Sequence, residues 1–261
     1  MTDATIGRGW PPPAALMLDD DQLIECYAID DRDTQSVRFN FVVSIDGAAT
    51  EAGLSAGLSG QADKRVFDIL RRLCDVVLVG AGTLRAEGYG PMRLDPASVR
   101  WRRANGLVDQ PVFAIVSGTL HLDPASTVFT EAPVRPVVVT TGASSPTKKE
   151  ALSRVADIVL CGEDSLDVTA MCSELAKRGL RQILSEGGPT LFGTLLEADR
   201  VDELCLTISP LIEAGDAFRI ASGTLPQARR MTLHHVLVSS STLMLRYLRV
   251  REQSTAGDFP P

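Results

Sequence analysis

At 261 residues, with 44% hydrophobic but only 5% aromatic side chains, the chain holds enough Val, Leu, Ile and Ala for one sizeable α/β core. Its 26 basic and 33 acidic side chains leave a net charge of −7, which argues against a nucleic-acid partner, because phosphate contacts need clustered Lys and Arg. No apolar run is long enough to span a bilayer, and Met1 to Trp10 lacks the basic start and apolar core of a secretory signal, so a cytoplasmic protein without a membrane partner is expected.

Residues 1–22, with Pro11-Pro12-Pro13 and Asp19-Asp20-Asp21, read as a partly ordered lead-in, 23–251 as a single domain and 252–261 as a loose tail. Strand-like apolar runs fall at 38–43, 76–79, 112–116, 136–140, 157–160, 181–185 and 203–208, with helical patterns at about 61–73, 146–155, 166–178 and 189–197. That alternation predicts an α/β fold with a mainly parallel central sheet flanked by helices. Runs 233–239 and 242–250, joined at Ser240-Ser241, predict an antiparallel hairpin at its edge. Cys26, Cys74, Cys161, Cys172 and Cys205 are odd in number and form no C-x-x-C pair, so they read as reduced core residues. His121 stands alone, and the adjacent His234 and His235 point to opposite faces of a strand, so no metal site is expected.

Three motifs carry chemistry. In the first, Asn40 to Gly47 (NFVVSIDG), a buried strand delivers Ser44 and Asp46 to its C-terminal end, and Leu58-Ser59-Gly60 then introduces a helix. Asp63 falls in the first turn of that helix, where a carboxylate either complements the dipole and caps it or, lining a pocket, grips an amino-heterocycle through paired hydrogen bonds. The second is Leu78 to Arg85 (LVGAGTLR). Gly80 and Gly82 permit close backbone approach, Thr83 offers a hydroxyl and Arg85 a charge, all toward one phosphate; a plain tight turn is the other reading. It lacks the third Gly of the dinucleotide fingerprint and the Gly-Lys-Ser/Thr of a P-loop. In the third, RQILSEGGPTLFGTLL at 181–196, a buried strand ends in Glu186-Gly187-Gly188-Pro189 and turns directly into a helix. Proline in the first turn leaves the remaining N–H groups free as an anion site suited to a pyrophosphate, unless the glycines serve turn geometry alone.

Together the motifs NFVVSIDG, GAGT at 80–83, EGGPTLF and VDELCLTISPLIEAG at 201–215 resemble the pyrimidine reductase family of riboflavin biosynthesis, which shares its fold with dihydrofolate reductase. The resemblance covers roughly 38–250 and implies an NADPH-dependent reductase. Its substrate would be 2,5-diamino-6-ribosylamino-4(3H)-pyrimidinone 5′-phosphate or the deaminated uracil form. By the same resemblance, hydride from the nicotinamide would reach C1′ of the ribose and open it to a ribityl chain. It further places Gly80, Thr83, Glu186, Gly187 and Gly188 in the cofactor site, to which Thr190 is added; a cation near the adenosine ribose would favour NADPH over NADH, and Arg85 at the end of the Gly80–Arg85 loop, or else Ser117 after the 112–116 strand, is the expected group. Asn40, Ser44, Asp46, Ser59 and Asp63 would face substrate or nicotinamide, with Asp46 and Asp63 as the catalytic carboxylates. Asp63 and Phe67 also repeat the spacing of the pterin-binding carboxylate and pocket phenylalanine of dihydrofolate reductase, and four residues apart on a helix they share a face. Two departures stand out. The zinc deaminase signatures that many bacterial members carry are missing, and where the family continues Asp-Asp-Pro-x-Leu this chain has Arg85 to Arg93 (RAEGYGPMR), which points to a different or broader substrate. The resemblance also implies a homodimer. Activity on a pterin and a non-catalytic NADPH-binding module are the alternatives.

Overall fold

The computed structural model describes residues 17–251, so the expectations for 1–16 and 252–261 lie outside the described residues. Nine strands form one sheet: β1 (Ser36–Val43), β2 (Val76–Gly80), β3 (Val112–Val116), β4 (Val137–Thr140), β5 (Asp157–Leu160), β6 (Gln182–Ser185), β7 (Glu203–Ile208), β8 (Met231–Ser239) and β9 (Thr242–Arg249), in the order β5-β4-β3-β2-β6-β1-β7-β9-β8. The first seven in that order run parallel, and β9 and β8 add antiparallel pairings, so the expected parallel sheet with its closing hairpin is present.

Central strands are buried on both faces, which is why they read as unbroken apolar runs. Val76, Val77, Leu78 and Val79 of β2 are all 0% exposed and alternate between two cores. Val77 and Val79 share a core with apolar side chains of α1 (Asp20–Tyr27), α2 (Gln61–Leu73), α5 (Thr127–Thr130) and α6 (Pro146–Ser153), whereas Val76 and Leu78 share theirs with α7 (Val168–Lys177) and α8 (Pro189–Glu197). Two further helices, α3 (Ala81–Ala86) and α4 (Pro96–Ala104), lie between β2 and β3. Helix α1 starts within the stretch expected to be a lead-in. Asp19 caps it, accepting from Gln22 N at 2.9 Å, and Leu23, Ile24 and Tyr27 are buried.

A buried ion cluster seats that helix. Arg38 of β1, Glu203 of β7 and Arg246 of β9 stand on neighbouring strands, each less than a tenth exposed. Glu203 Oε2 accepts from Nη2 of Arg38 at 2.9 Å and of Arg246 at 3.0 Å. The surplus positive charge meets the carbonyl end of α1: Arg38 Nη2 donates to Tyr27 O at 2.9 Å and Arg246 Nη1 to Cys26 O at 2.5 Å, where the helix dipole favours a cation. Burial pushes the Glu203 carboxyl up, but the two arginines outweigh it and hold the group below the ordinary carboxylate value. Helix α2 ends in a similar way, with Arg102 of α4, 0% exposed, donating to Arg72 O and Cys74 O at 2.8 and 2.7 Å. Replacing Glu203 by Gln leaves two buried guanidinium groups facing a neutral amide, and should lower stability by about 3–5 kcal/mol. Urea denaturation of Glu203→Gln measures this, and a loss below about 1 kcal/mol would show that the cluster is not a keystone.

Candidate active site

The C-terminal ends of β1, β2, β3 and β6 open into one cleft of about 840 Å³. Parallel sheets place ligands at this end, where loops of different strands converge. The wall between β2 and β6 is built by continuing their ladder past the last residue of β6: Glu186 N donates to Leu78 O and Gly80 N to Gly187 O, both at 3.0 Å. Gly187 takes φ +102°, and a Cβ there would stand 3.0 Å from the Phe41 ring. At Gly188 a Cβ would stand 2.5 Å from Thr83 Oγ1, so the loop at 80–83 and the turn at 187–188 interlock through their missing side chains. Helix α8 begins at the next residue with no side-chain cap and no acid in its first turn, and Pro189, Thr190 and Leu191 line the cleft there. Gly82 and Gly118 also line it, and a Cβ at either meets no protein atom within 4 Å. Ser117 lines the same end, its Oγ accepting from Leu120 N at 3.0 Å. Arg85 is exposed at the rim and donates to His121 O at 3.0 Å, bridging α3 to the turn after β3.

Across the cleft lie Asn40, Ser59, Asp63, Lys64 and Phe67. Asp63 is 5% exposed. Its Oδ2 accepts from Ser59 Oγ at 2.5 Å, while its Oδ1 is buried with no partner. Gly60 is the N-cap of α2 and no side chain caps that end, so Asp63 does not serve as a cap. One turn along, the Phe67 ring carries the Arg71 guanidinium 4.1 Å from its centroid.

Two of the expected substrate-facing residues stand elsewhere. Ser44 and Asp46 do not line the cleft. Ser44 Oγ donates to the Asp46 carboxylate and accepts from Ala48 N at 2.9 Å; Asp46 in turn accepts from Glu213 N at 3.2 Å and Ala214 N at 2.7 Å. The Ser44 hydroxyl and those amides hold the Asp46 carboxyl down to about 2, so it clasps two loops as an anion and is unsuited to give up a proton. Glu186 does line the cleft, but its carboxylate is engaged. Arg71 pairs with it through Nε at 2.5 Å and Nη2 at 2.7 Å, and Tyr89 Oη donates at 2.9 Å. Sequence reasoning missed Arg71, Tyr89 and Lys64. Arg71 follows Phe67 by four residues and so shares its face, a signal available from spacing alone; nothing local announces Tyr89.

The RibD C-terminal domain family model matches residues 35–245. A 2,5-diamino-6-ribosylamino-4(3H)-pyrimidinone 5′-phosphate reductase of Methanothermobacter thermautotrophicus is 28% identical over 217 residues, covering 81% of this chain and 96% of that protein. A pyrimidine reductase-like protein from Corynebacterium diphtheriae has the same fold, with a TM-score of 0.81 at 24% identity over 90% of this chain and 100% of that one. A deaminase/5-amino-6-(5-phosphoribosylamino)uracil reductase from Thermotoga maritima gives a TM-score of 0.63 at 19% identity, over 84% of this chain and 58% of that one. The match begins one residue before β1 and ends within β9, so it takes in every element that builds the cleft, and the chain belongs to the RibD C-terminal domain family.

Proposed function

We propose that this chain is an NADPH-dependent reductase that converts the ribosyl group of a ribosylaminopyrimidine 5′-phosphate into a ribityl chain. The observation that carries this reading is the meeting, in one cleft, of a glycine-walled helix N-terminus with a buried carboxylate whose Oδ1 has no protein partner. The first suits a dinucleotide pyrophosphate and the second a ring bearing N–H donors. The residues present fit a nicotinamide cofactor: Gly82 and Gly118 leave space that any Cβ would enter, and the first turn of α8 is free of acids.

The net reaction adds a hydride at C1′ and breaks the C1′–O4′ bond, with a proton taken up on O4′. The nicotinamide, when bound, supplies the hydride. The chain supplies position. Gly80, Thr83, Gly187, Gly188 and Thr190 shape the cofactor wall, and Asp63 with Phe67 and Asn40 lines the ring's end, where Lys64 offers a cation for the substrate phosphate. Arg85, an exposed cation beside the Ser117 turn, favours NADPH over NADH. The five cysteines are free thiols, in keeping with a cytoplasmic enzyme. Strand β8 closes the sheet with Leu233 and Val236 exposed at 46% and 42%, and a second copy covering that edge makes a homodimer.

Loss of NADPH absorbance on adding the two riboflavin pyrimidines, with dihydrofolate alongside, tests the activity. Turnover of dihydrofolate alone would make it a pterin reductase, and NADPH binding without turnover a non-catalytic module. Gly82→Val should cut NADPH affinity at least about tenfold with an unchanged melting temperature, since it intrudes only on the cleft. Gly188→Val should lower affinity and stability together, because its side chain strikes Thr83 first. Fluorescence titration and thermal melts separate the two. Arg85→Ala should weaken NADPH about tenfold or more while sparing NADH; equal losses would move the discrimination to Ser117. Light scattering should return twice 28.0 kDa, and a monomer at micromolar concentration would refute the dimer.

A further inference from the structure

Strand β8 carries an irregularity that changes how its two histidines stand. In its register with β9, Leu233 pairs with Tyr247 and His235 with Arg246, so His234 is the extra residue of a β-bulge. The alternation that sends neighbouring side chains of a strand to opposite faces is broken here, and the expectation that these two rings diverge fails. They converge instead, with their Nδ1 atoms 3.2 Å apart and their planes inclined at 74°.

The pair is seated on one side and open on the other. His235 is half-buried and meets the Tyr27 ring edge to face, 5.1 Å between centroids, which fixes its orientation against the end of α1. His234 is exposed. Among the described residues each Nδ1 has only the other as a partner, and His235 Nε2 is buried with none in either tautomer. Two imidazole nitrogens so placed share one proton or, in its place, one metal ion. With Zn–N bonds of about 2.0–2.1 Å, their 3.2 Å separation gives an N–Zn–N angle of about 100–105°, close to tetrahedral.

We propose that His234 and His235 chelate a borderline d-block dication such as Zn²⁺, with water completing its coordination. Imidazole suits this class of ion, whereas Mg²⁺ and Ca²⁺ take oxygen ligands. Arg246 stands opposite His235 in the register, but its guanidinium is engaged by the Glu203 carboxylate at 2.9 and 3.0 Å and by Cys26 O at 2.5 Å, which offsets its charge. A bound ion ties the extra residue of the bulge to its paired neighbour and so stiffens the edge of the sheet. Neither histidine lines the cleft, so the site is separate from the reductase chemistry.

Calorimetric titration of the untagged full-length chain with Zn²⁺ tests the assignment. One ion per chain should bind with a Kd on the order of 10–100 μM, while Mg²⁺ should give no saturable heat. At tenfold excess over that Kd, Zn²⁺ should raise the melting temperature by about 3–5 °C. His234→Ala alters an exposed side chain, so the metal-free melting temperature should hold while Zn²⁺ affinity falls at least about tenfold and the thermal shift disappears. His121→Ala and Cys26→Ser should both bind as the wild type does. Should His234→Ala fold poorly, anomalous diffraction from Zn²⁺-soaked crystals of the wild type must place the ion about 2.0–2.1 Å from both Nδ1 atoms. A histidine pair joined only by a hydrogen bond gives no saturable binding up to about 1 mM Zn²⁺. That result, unchanged affinity in His234→Ala, or a loss in Cys26→Ser or His121→Ala instead, would overturn the proposal.

Discussion

The cleft depends on one backbone hydrogen bond, from Gly80 N to Gly187 O at 3.0 Å. It extends the β2–β6 ladder beyond the end of β6, and so carries sheet regularity into what would otherwise be two independent loops. Because the turn at 187–188 is clamped this way, the helix that follows starts from a fixed point. Beneath it three phenylalanines pack together. Phe192 of α8 lies 4.5 Å from Phe39 and 5.1 Å from Phe41, ring centroid to centroid, so the helix, β1 and the glycine turn form one packed unit.

A buried ion pair transmits that rigidity across the cleft. The Glu186 side chain is 1% exposed, and its partner Arg71 sits on the helix that carries Asp63 and Phe67. The pair therefore sets the distance between the glycine wall and α2. Tyr89 adds a third point of attachment: burial and the neighbouring Glu186 carboxylate push its hydroxyl well above the ordinary phenol value, so it stays a donor and ties the segment after α3 to the same carboxylate.

What could be read from sequence follows from the range of the interactions. The buried strands announced themselves as Val-rich runs, and helices α2, α7 and α8 as apolar stripes. Helix α4 did not, because the residues it buries are Ser98 and Arg102 and no hydrophobic periodicity marks it. Helices α3 and α5, at six and four residues, are too short to show a period. Within the site, Gly187, Gly188 and Asp63 stood out through local motif and spacing. Asp46 looked equally chemical, yet besides the nearby Ser44 hydroxyl its partners are backbone amides 167 and 168 residues away. Glu186 likewise owes its state to Arg71 and Tyr89, 115 and 97 residues distant. Tertiary partners at such separations leave no trace in a local pattern.

The cluster of Arg38, Glu203 and Arg246 bears on how the molecule is made. Cys26 O and its donor Arg246 are 220 residues apart, so during synthesis from the N-terminus that carbonyl waits for its partner until almost all of the sheet has been translated, whereas the donor to Tyr27 O, Arg38, follows within 11 residues. Arrival of β9 then adds the second donor at the end of α1, completes the ion cluster around Glu203 and covers the open edge of β7 in a single event. Until that moment the nascent sheet presents a bare parallel edge with a half-paired acid beside it, an edge of the kind open to strand-to-strand association.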